Sequence, residues 1–153
     1  MKIIIDADAC PVTKIVEKVA KENKIQTLIV CDTNHQLASE YSEIIIVEKG
    51  ADSADFKIIQ EGKKGDLVVT QDYGVAAIAL GKGMYGIHQS GKWYTNENID
   101  MMLFERHMAK QARKSSKNHF KGPKKRTPAD DERFEESLRR LVKDIQRVKD
   151  IQL

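Results

Sequence analysis

The stretch Ile3-Ile4-Ile5-Asp6-Ala7-Asp8-Ala9-Cys10-Pro11 restricts the fold more than any other part of the chain. Ile3, Ile4 and Ile5 are β-branched and apolar without alternation, the pattern of a strand covered on both faces. Pro11 suits the first turn of a helix, where a missing N–H costs nothing. A buried strand therefore hands over to a helix, with Asp6 and Asp8 at the strand's carboxyl end. Side chains two residues apart on a strand share a face at roughly 6–7 Å, so both carboxylates can point into one crevice. Burying either without a cation or hydrogen-bond donors is costly.

The pattern continues as a βαβ unit. Val12, Ile15, Val16 and Val19 recur at helical spacing to about Lys24, and Ile25 to Cys31 reads as a second strand, which predicts a parallel sheet. Ile44 to Val47 is a third strand, and residues 51–61 a helix. After the break Gly62–Gly65, Asp66 to Thr70 is a fourth strand, Gln71 to Gly74 a turn, and Val75 to Leu80 a helix. Gly81-Lys82-Gly83-Met84-Tyr85-Gly86 spells G-x-G-x-x-G. Its glycines end a helix and enter a strand, the reverse of a dinucleotide-binding turn, so they read as helix termination.

Tyr85 to Thr95 is a hairpin turning at Ser90-Gly91, with Trp93 and Tyr94 on the return strand. Thr95 or Asn96 caps the next helix, which carries Ile99, Met102 and Leu103 toward Ala112. Composition then changes. Residues 1–112 form the expected α/β domain, and residues 113–153 a basic linker, broken by Gly122-Pro123, followed by a helix from Pro128 to Asp131 onward. Phe134, Leu138, Leu141, Ile145 and Val148 make an amphipathic stripe that must dock on this domain, a protein partner or a second copy.

At 153 residues the chain suits one domain with a real core. Two cysteines, Cys10 and Cys31, do not make a disulfide scaffold. No run approaches the roughly 20 apolar residues of a membrane span, and the opening isoleucines are too few for a signal segment. A soluble cytoplasmic protein is expected. Its net charge of +3 is modest, but from Arg106 to Arg126 every charged residue is basic, counting histidine as neutral. His35, His88, His107 and His119 show no metal-ligand spacing.

Acidic residues recur where the expected strands release chain: Asp6 with Asp8, Asp52 with Asp55, and Asp72. Ligands bind at that edge of an open α/β sheet. Carboxylates converging there repel one another unless a hard cation sits among them, and an all-oxygen set selects Mg²⁺ or Mn²⁺ over zinc. Asp52, Asp55 and Asp72 also have a structural reading, since an aspartate at a helix start is an ordinary cap or dipole partner. Asp6 has none so simple.

Asp6-Ala7-Asp8-Ala9-Cys10-Pro11, Gly50-Ala51-Asp52-Ser53-Ala54-Asp55, Thr70-Gln71-Asp72-Tyr73-Gly74 and the late Gly122-Pro123-Lys124 with Asp131 and Phe134 together resemble the bacterial YaiI/YqxD family, essentially end to end. That family looks like a branch of the PIN-like superfamily. The resemblance implies a PIN-like three-layer α/β sandwich with a mainly parallel sheet, and an acidic cluster that binds divalent metal for RNA cleavage. By the same resemblance Asp6, Asp55 and Asp72 are the catalytic ligands, with Asp8 and Asp52 accessory. The implied chemistry is metal-assisted phosphodiester hydrolysis.

Thr33, Asn34 and Thr70 sit at expected strand ends and can position water or phosphate. Arg106, Lys110, Arg113, Lys114, Lys117, Lys121, Lys124, Lys125 and Arg126 offer a phosphate-tracking arm, with Trp93 or Tyr94 as a stacking surface for nucleic acid, RNA by the resemblance. Two alternatives stand beside the nuclease. One is a non-catalytic module that binds RNA or protein. The other is a haloacid-dehalogenase-like phosphatase with Asp6 as nucleophile, for which the chain is short and Asp72 stands alone.

Overall fold

The computed structural model describes residues 1–8, 10–33, 37–50, 52–115 and 124–151. Six strands, β1 (Lys2–Asp6), β2 (Gln26–Asp32), β3 (Glu43–Val47), β4 (Leu67–Val69), β5 (Tyr85–Ile87) and β6 (Trp93–Tyr94), form one sheet in the order β3-β2-β1-β4-β5-β6. The first five are parallel and β6 runs antiparallel to β5. Among the described residues there are five helices, α1 (Thr13–Glu22), α2 (Ser53–Glu61), α3 (Tyr73–Gly81), α4 (Ile99–Ser115) and α5 (Pro128–Ile151).

The unbroken isoleucine run is explained by helices on both faces of the sheet. Ile3 and Ile5 join Val16 and Val19 of α1 and Phe134 and Leu138 of α5 in one core, whereas Ile4 faces Ile58 of α2 and Val75 and Ala79 of α3. All three isoleucines are fully buried. The result is the expected three-layer, mainly parallel α/β sandwich. Outside it, Ile99 and Met102 of α4 pack on Ala76 and Tyr94.

The last helix docks on its own domain. Phe134, Leu138, Leu141, Val142 and Ile145 are buried in the core that α1 shares, leaving Val148 and Ile151 as the exposed apolar residues of the stripe. Trp93 helps to hold it there: its indole N–H donates to Ser137 Oγ at 2.8 Å, and the Ser137 hydroxyl donates to the Gly91 carbonyl. Gly91 has φ +94°, and a Cβ there would lie 3.1 Å from the Ser137 side chain, so the hairpin turn suits only glycine. Trp93 thus packs against the core and Tyr94 is buried, which overturns the expectation of a stacking surface there.

Both ends of α4 move. Thr95 Oγ1 accepts from the Asn98 amide at 3.2 Å and Asn98 Oδ1 from the Thr95 amide at 2.9 Å, so a reciprocal polar turn delays the start of α4 to Ile99. At its other end α4 continues to Ser115, which makes Arg113 and Lys114 helical rather than part of a linker. The glycine-rich turn behaves as expected, with α3 ending at Gly81, Gly83 at φ +84° and β5 beginning at Tyr85. No helix among the described residues is long and apolar enough to cross a membrane.

Strand order decides where a ligand can enter. From β1 the chain steps outward through β2 to β3, then returns to place β4 and β5 on the other side of β1. Connections above β1 and β4 leave in opposite directions, which opens a crevice at their carboxyl ends. Asp6 closes β1, and Thr70 follows β4 directly.

Candidate functional site

A pocket of 370 Å³ at this crevice is lined by Asp6, Asp8, Asp55, Gln71, Asp72 and Arg106. Four aspartates from three separate segments therefore meet at the switch point. They arrive by different routes. The Ala7 amide still donates to the Val30 carbonyl at 3.0 Å, but Asp8 lies in the turn beyond, so Asp6 and Asp8 reach the pocket from strand and turn rather than from one face of a strand.

Asp55 projects from the first turn of α2. Asp72 caps α3, its Oδ1 accepting from the Gly74 and Val75 amides at 2.8 and 3.2 Å. A Cβ on Gly74 would stand 3.1 Å from that oxygen, so the glycine leaves the capping carboxylate room. Asp52 also occupies the residue before a helix, yet it has φ +65° and makes no side-chain cap. It lines a neighbouring cleft, not the acidic pocket.

Thr70 ties these pieces together. Buried, it donates through Oγ1 to Asp6 Oδ2 at 2.8 Å and accepts there from the Asp72 amide at 3.0 Å. Its carbonyl accepts from the Tyr94 hydroxyl at 2.8 Å. One threonine thus orients the end of β1, the start of α3 and the hairpin strand. Thr33 is exposed beyond β2 and does not line the pocket, and Asn34 lies outside the described residues.

The electrostatics of the cluster are unfavourable in the absence of a cation. Burial pushes the Asp6 carboxyl from 3.8 to about 6, and the charges of Asp55, Asp8 and Asp72 add to the rise, against the Thr70 hydrogen bond that opposes it. Asp55 is raised as well, by burial first and then by Asp72, Asp52 and Asp8, with Arg106 working the other way. Burial and its acidic neighbours also push the Tyr94 phenol well above its usual range.

In chemistry this donor set suits a hard divalent ion: every carboxylate is an oxygen donor, and among the described residues no cysteine or histidine lines the pocket. In placement it stops short. Among the described residues no three acidic, histidine or cysteine side chains stand where one ion could hold them together. Mutual repulsion and the commitment of one Asp72 oxygen to the α3 amides are sufficient physical reasons for that spacing.

Arg106 is the basic residue of the expected set that enters the pocket, with Nη1 3.4 Å from Asp72 Oδ1. Beside it a second cleft of 370 Å³ runs along α4 between Gln71, Tyr73 and Arg113. Lys110 and Lys114 are exposed on the same helix, at spacings of four and eight from Arg106. Lys124 and Lys125 are exposed, whereas Arg126 is engaged at the start of α5, its Nε 2.6 Å from Asp131 Oδ1. Lys117 and Lys121 lie outside the described residues.

Sequence reasoning left Gln71 without a role, although it sits inside the Thr70–Asp72 motif that marks the site. It also passed over Phe56, an aromatic side chain 79% exposed one residue after Asp55. Only its position on α2, behind an acidic helix start, hinted at it.

Residues 4–144 match the profile of a family described as "Uncharacterized BCR, YaiI/YqxD family". Curated relatives include a UPF0178 protein of Clostridium acetobutylicum, 65% identical over 143 residues, covering 93% of this chain and 97% of the relative. Another, from Lachnoclostridium phytofermentans, is 53% identical over 147 residues and covers 95% and 99%. Among solved structures, a tryptophan-to-leucine mutant of Rae1 (YacP) from Bacillus subtilis is similar over 74% of this chain and 83% of its own, at 16% identity and a TM-score of 0.40.

Proposed function

For a chain that belongs to the YaiI/YqxD family and gathers its aspartates at the switch point of a parallel sheet, we propose a metal-dependent nuclease that hydrolyses phosphodiester bonds in RNA. The observation that carries this reading is the convergence of Asp6, Asp8, Asp55 and Asp72 on one pocket where, among the described residues, Arg106 is the cation that faces them. The ligand set is Asp6, Asp55 and Asp72, with Asp8 beside them. Asp52, on the neighbouring cleft, stands outside it.

Bound Mg²⁺ or Mn²⁺ supplies charge stabilisation at the scissile phosphate and an activated water. The protein's own groups do the positioning. Thr70 holds one oxygen of Asp6, and the α3 amides hold one oxygen of Asp72, which orients two of the side chains that would hold the ion. Arg106 reaches the same pocket and supplies a guanidinium for a phosphate oxygen, while Arg113, Lys110 and Lys114 extend the positive track along α4. A phosphatase of the aspartyl-phosphate type wants a lysine beside its nucleophile. Here, among the described residues, the cation lining the pocket is Arg106.

Asp6→Asn tests the reading. With purified protein and a labelled RNA, the variant should lose Mn²⁺-dependent cleavage by more than about a hundredfold, the loss that even indirect partners of a metal produce. Salt-sensitive RNA binding should persist. Cleavage unaffected by the substitution would assign the activity to a contaminant. Binding by both proteins with cleavage by neither would leave a non-catalytic RNA-binding module.

A further inference from the structure

A cleft of 780 Å³ lies between α2 and α3 and opens into the acidic pocket through Asp55, Asp72 and Arg106, which line both. We propose that this cleft receives a nucleobase next to the scissile phosphate, with Phe56 as its stacking platform, an assignment that rests on the nuclease reading only for the direction in which the strand runs.

Two helical stripes build the cleft. Phe56 and Ile59 on α2, with Asp52 and Asp55 a turn earlier, repeat at spacings of three and four, and so do Val75, Ile78 and Lys82 on α3. The floor is apolar: Val75 is buried, Ile59 partly so, and Ile78 is exposed at the wall. Phe56 stands 79% exposed on the wall of the cleft, with its ring open to a ligand.

Cations mark both ends. Lys82 closes the far end, where its ammonium donates to the Ile59 carbonyl at 2.6 Å, and Arg106 stands at the mouth over the carboxylates. A cleft with an apolar floor, an exposed aromatic side chain on its wall and a cation towards each end is complementary to a nucleotide, the base against the ring and the phosphates towards the cations. It is less suited to an amphipathic helix, for which the charged ends have no use. The volume falls within the roughly 300–1,000 Å³ of ordinary ligand sites. A base inside a duplex has both faces covered by its neighbours, so only an unstacked base can meet Phe56.

The test uses the full chain in EDTA, which separates binding from cleavage. Fluorescence anisotropy would follow a labelled oligouridylate, the matching oligothymidylate and a blunt duplex. Phe56→Ala should weaken single-strand binding about tenfold, the effect of removing one stacking partner, with an unchanged melting temperature because the side chain is exposed. Phe56→Tyr should restore wild-type affinity, and the duplex should bind more weakly than either single strand. Single-strand affinity unchanged in Phe56→Ala would overturn the proposal. So would equal affinity for the duplex, or no oligonucleotide binding at all, which would give the cleft to a protein partner. Loss of binding in Phe56→Ala, in a wild-type protein that cleaves nothing with Mn²⁺, would support the cleft and sink the nuclease reading alone.

Discussion

β1 and β4 lie side by side at the centre of the sheet, and each end of the pair carries a buried aspartate: Asp66 at the amino edge, 6% exposed, and Asp6 at the carboxyl edge, 8% exposed. Their surroundings differ sharply. Asp66 accepts from the Lys2 amide at 3.0 Å, the Lys2 ammonium at 2.7 Å and the Lys63 amide at 2.9 Å. Burial works to raise its carboxyl, but those hydrogen bonds and the Lys2 charge hold it below the usual range. Asp6 receives a hydrogen bond from Thr70 and faces three other carboxylates, so burial prevails and the group rises to about 6. Depth alone does not separate a structural carboxylate from a functional one; the balance of donors and like charges does.

The largest expected effect is at the satisfied end. Asp66→Ala leaves the Lys2 ammonium and two amides without their acceptor and should destabilise the fold by about 3 kcal/mol, read from urea unfolding. A depressed carboxyl contributes stability at neutral pH that is lost as the pH falls through its folded value. The gap between variant and wild type should therefore narrow in acid. A midpoint unmoved by the substitution would remove the distinction between the two ends.

Asp6→Asn should act in the opposite direction. A rise from 3.8 to about 6 corresponds to about 3 kcal/mol held against the ionised form, and an amide relieves most of it. In EDTA at neutral pH the variant should be more stable than wild type by about 2 kcal/mol. Because the folded value is raised, wild-type stability falls as pH climbs from about 4 to about 6, and below that window the two proteins should converge. Mn²⁺ should then stabilise wild type and leave the variant unmoved. A variant less stable than wild type at neutral pH would put Asp6 in the same class as Asp66.

The contrast was half legible in the sequence. Three consecutive isoleucines require cover on both faces of a strand, and that demand, with the βαβ spacing, implies a parallel sheet and places Asp6 at its ligand-binding edge. What the sequence leaves unstated depends on partners remote along the chain. Trp93 and Phe56 are both aromatic residues beside polar ones, but Trp93 finds Ser137 on α5 while Phe56 stays exposed. Arg126 reads as one more base in a basic run until Asp131 comes round on the first turn of α5. Asp52 and Asp55 share a motif, yet Asp55 lines both clefts while Asp52, with its left-handed backbone, lines the neighbouring one.

Thr70→Val gives the smallest and most discriminating effect. Valine keeps the volume of threonine but removes the donor to Asp6 Oδ2 and the acceptor for the Asp72 amide. The cost in stability should be about 1 kcal/mol, since the net worth of each bond is small. The telling readout is the titration of Asp6 by carboxyl NMR. The Thr70 hydrogen bond is what opposes the rise of that carboxyl, so its loss should move the midpoint above about 6. Mn²⁺ affinity should fall about 10–100-fold, as it does when a group orienting a ligand is removed. A variant that loses stability while Asp6 titrates unchanged would make Thr70 a packing residue, and Asp6 would then be held by burial alone.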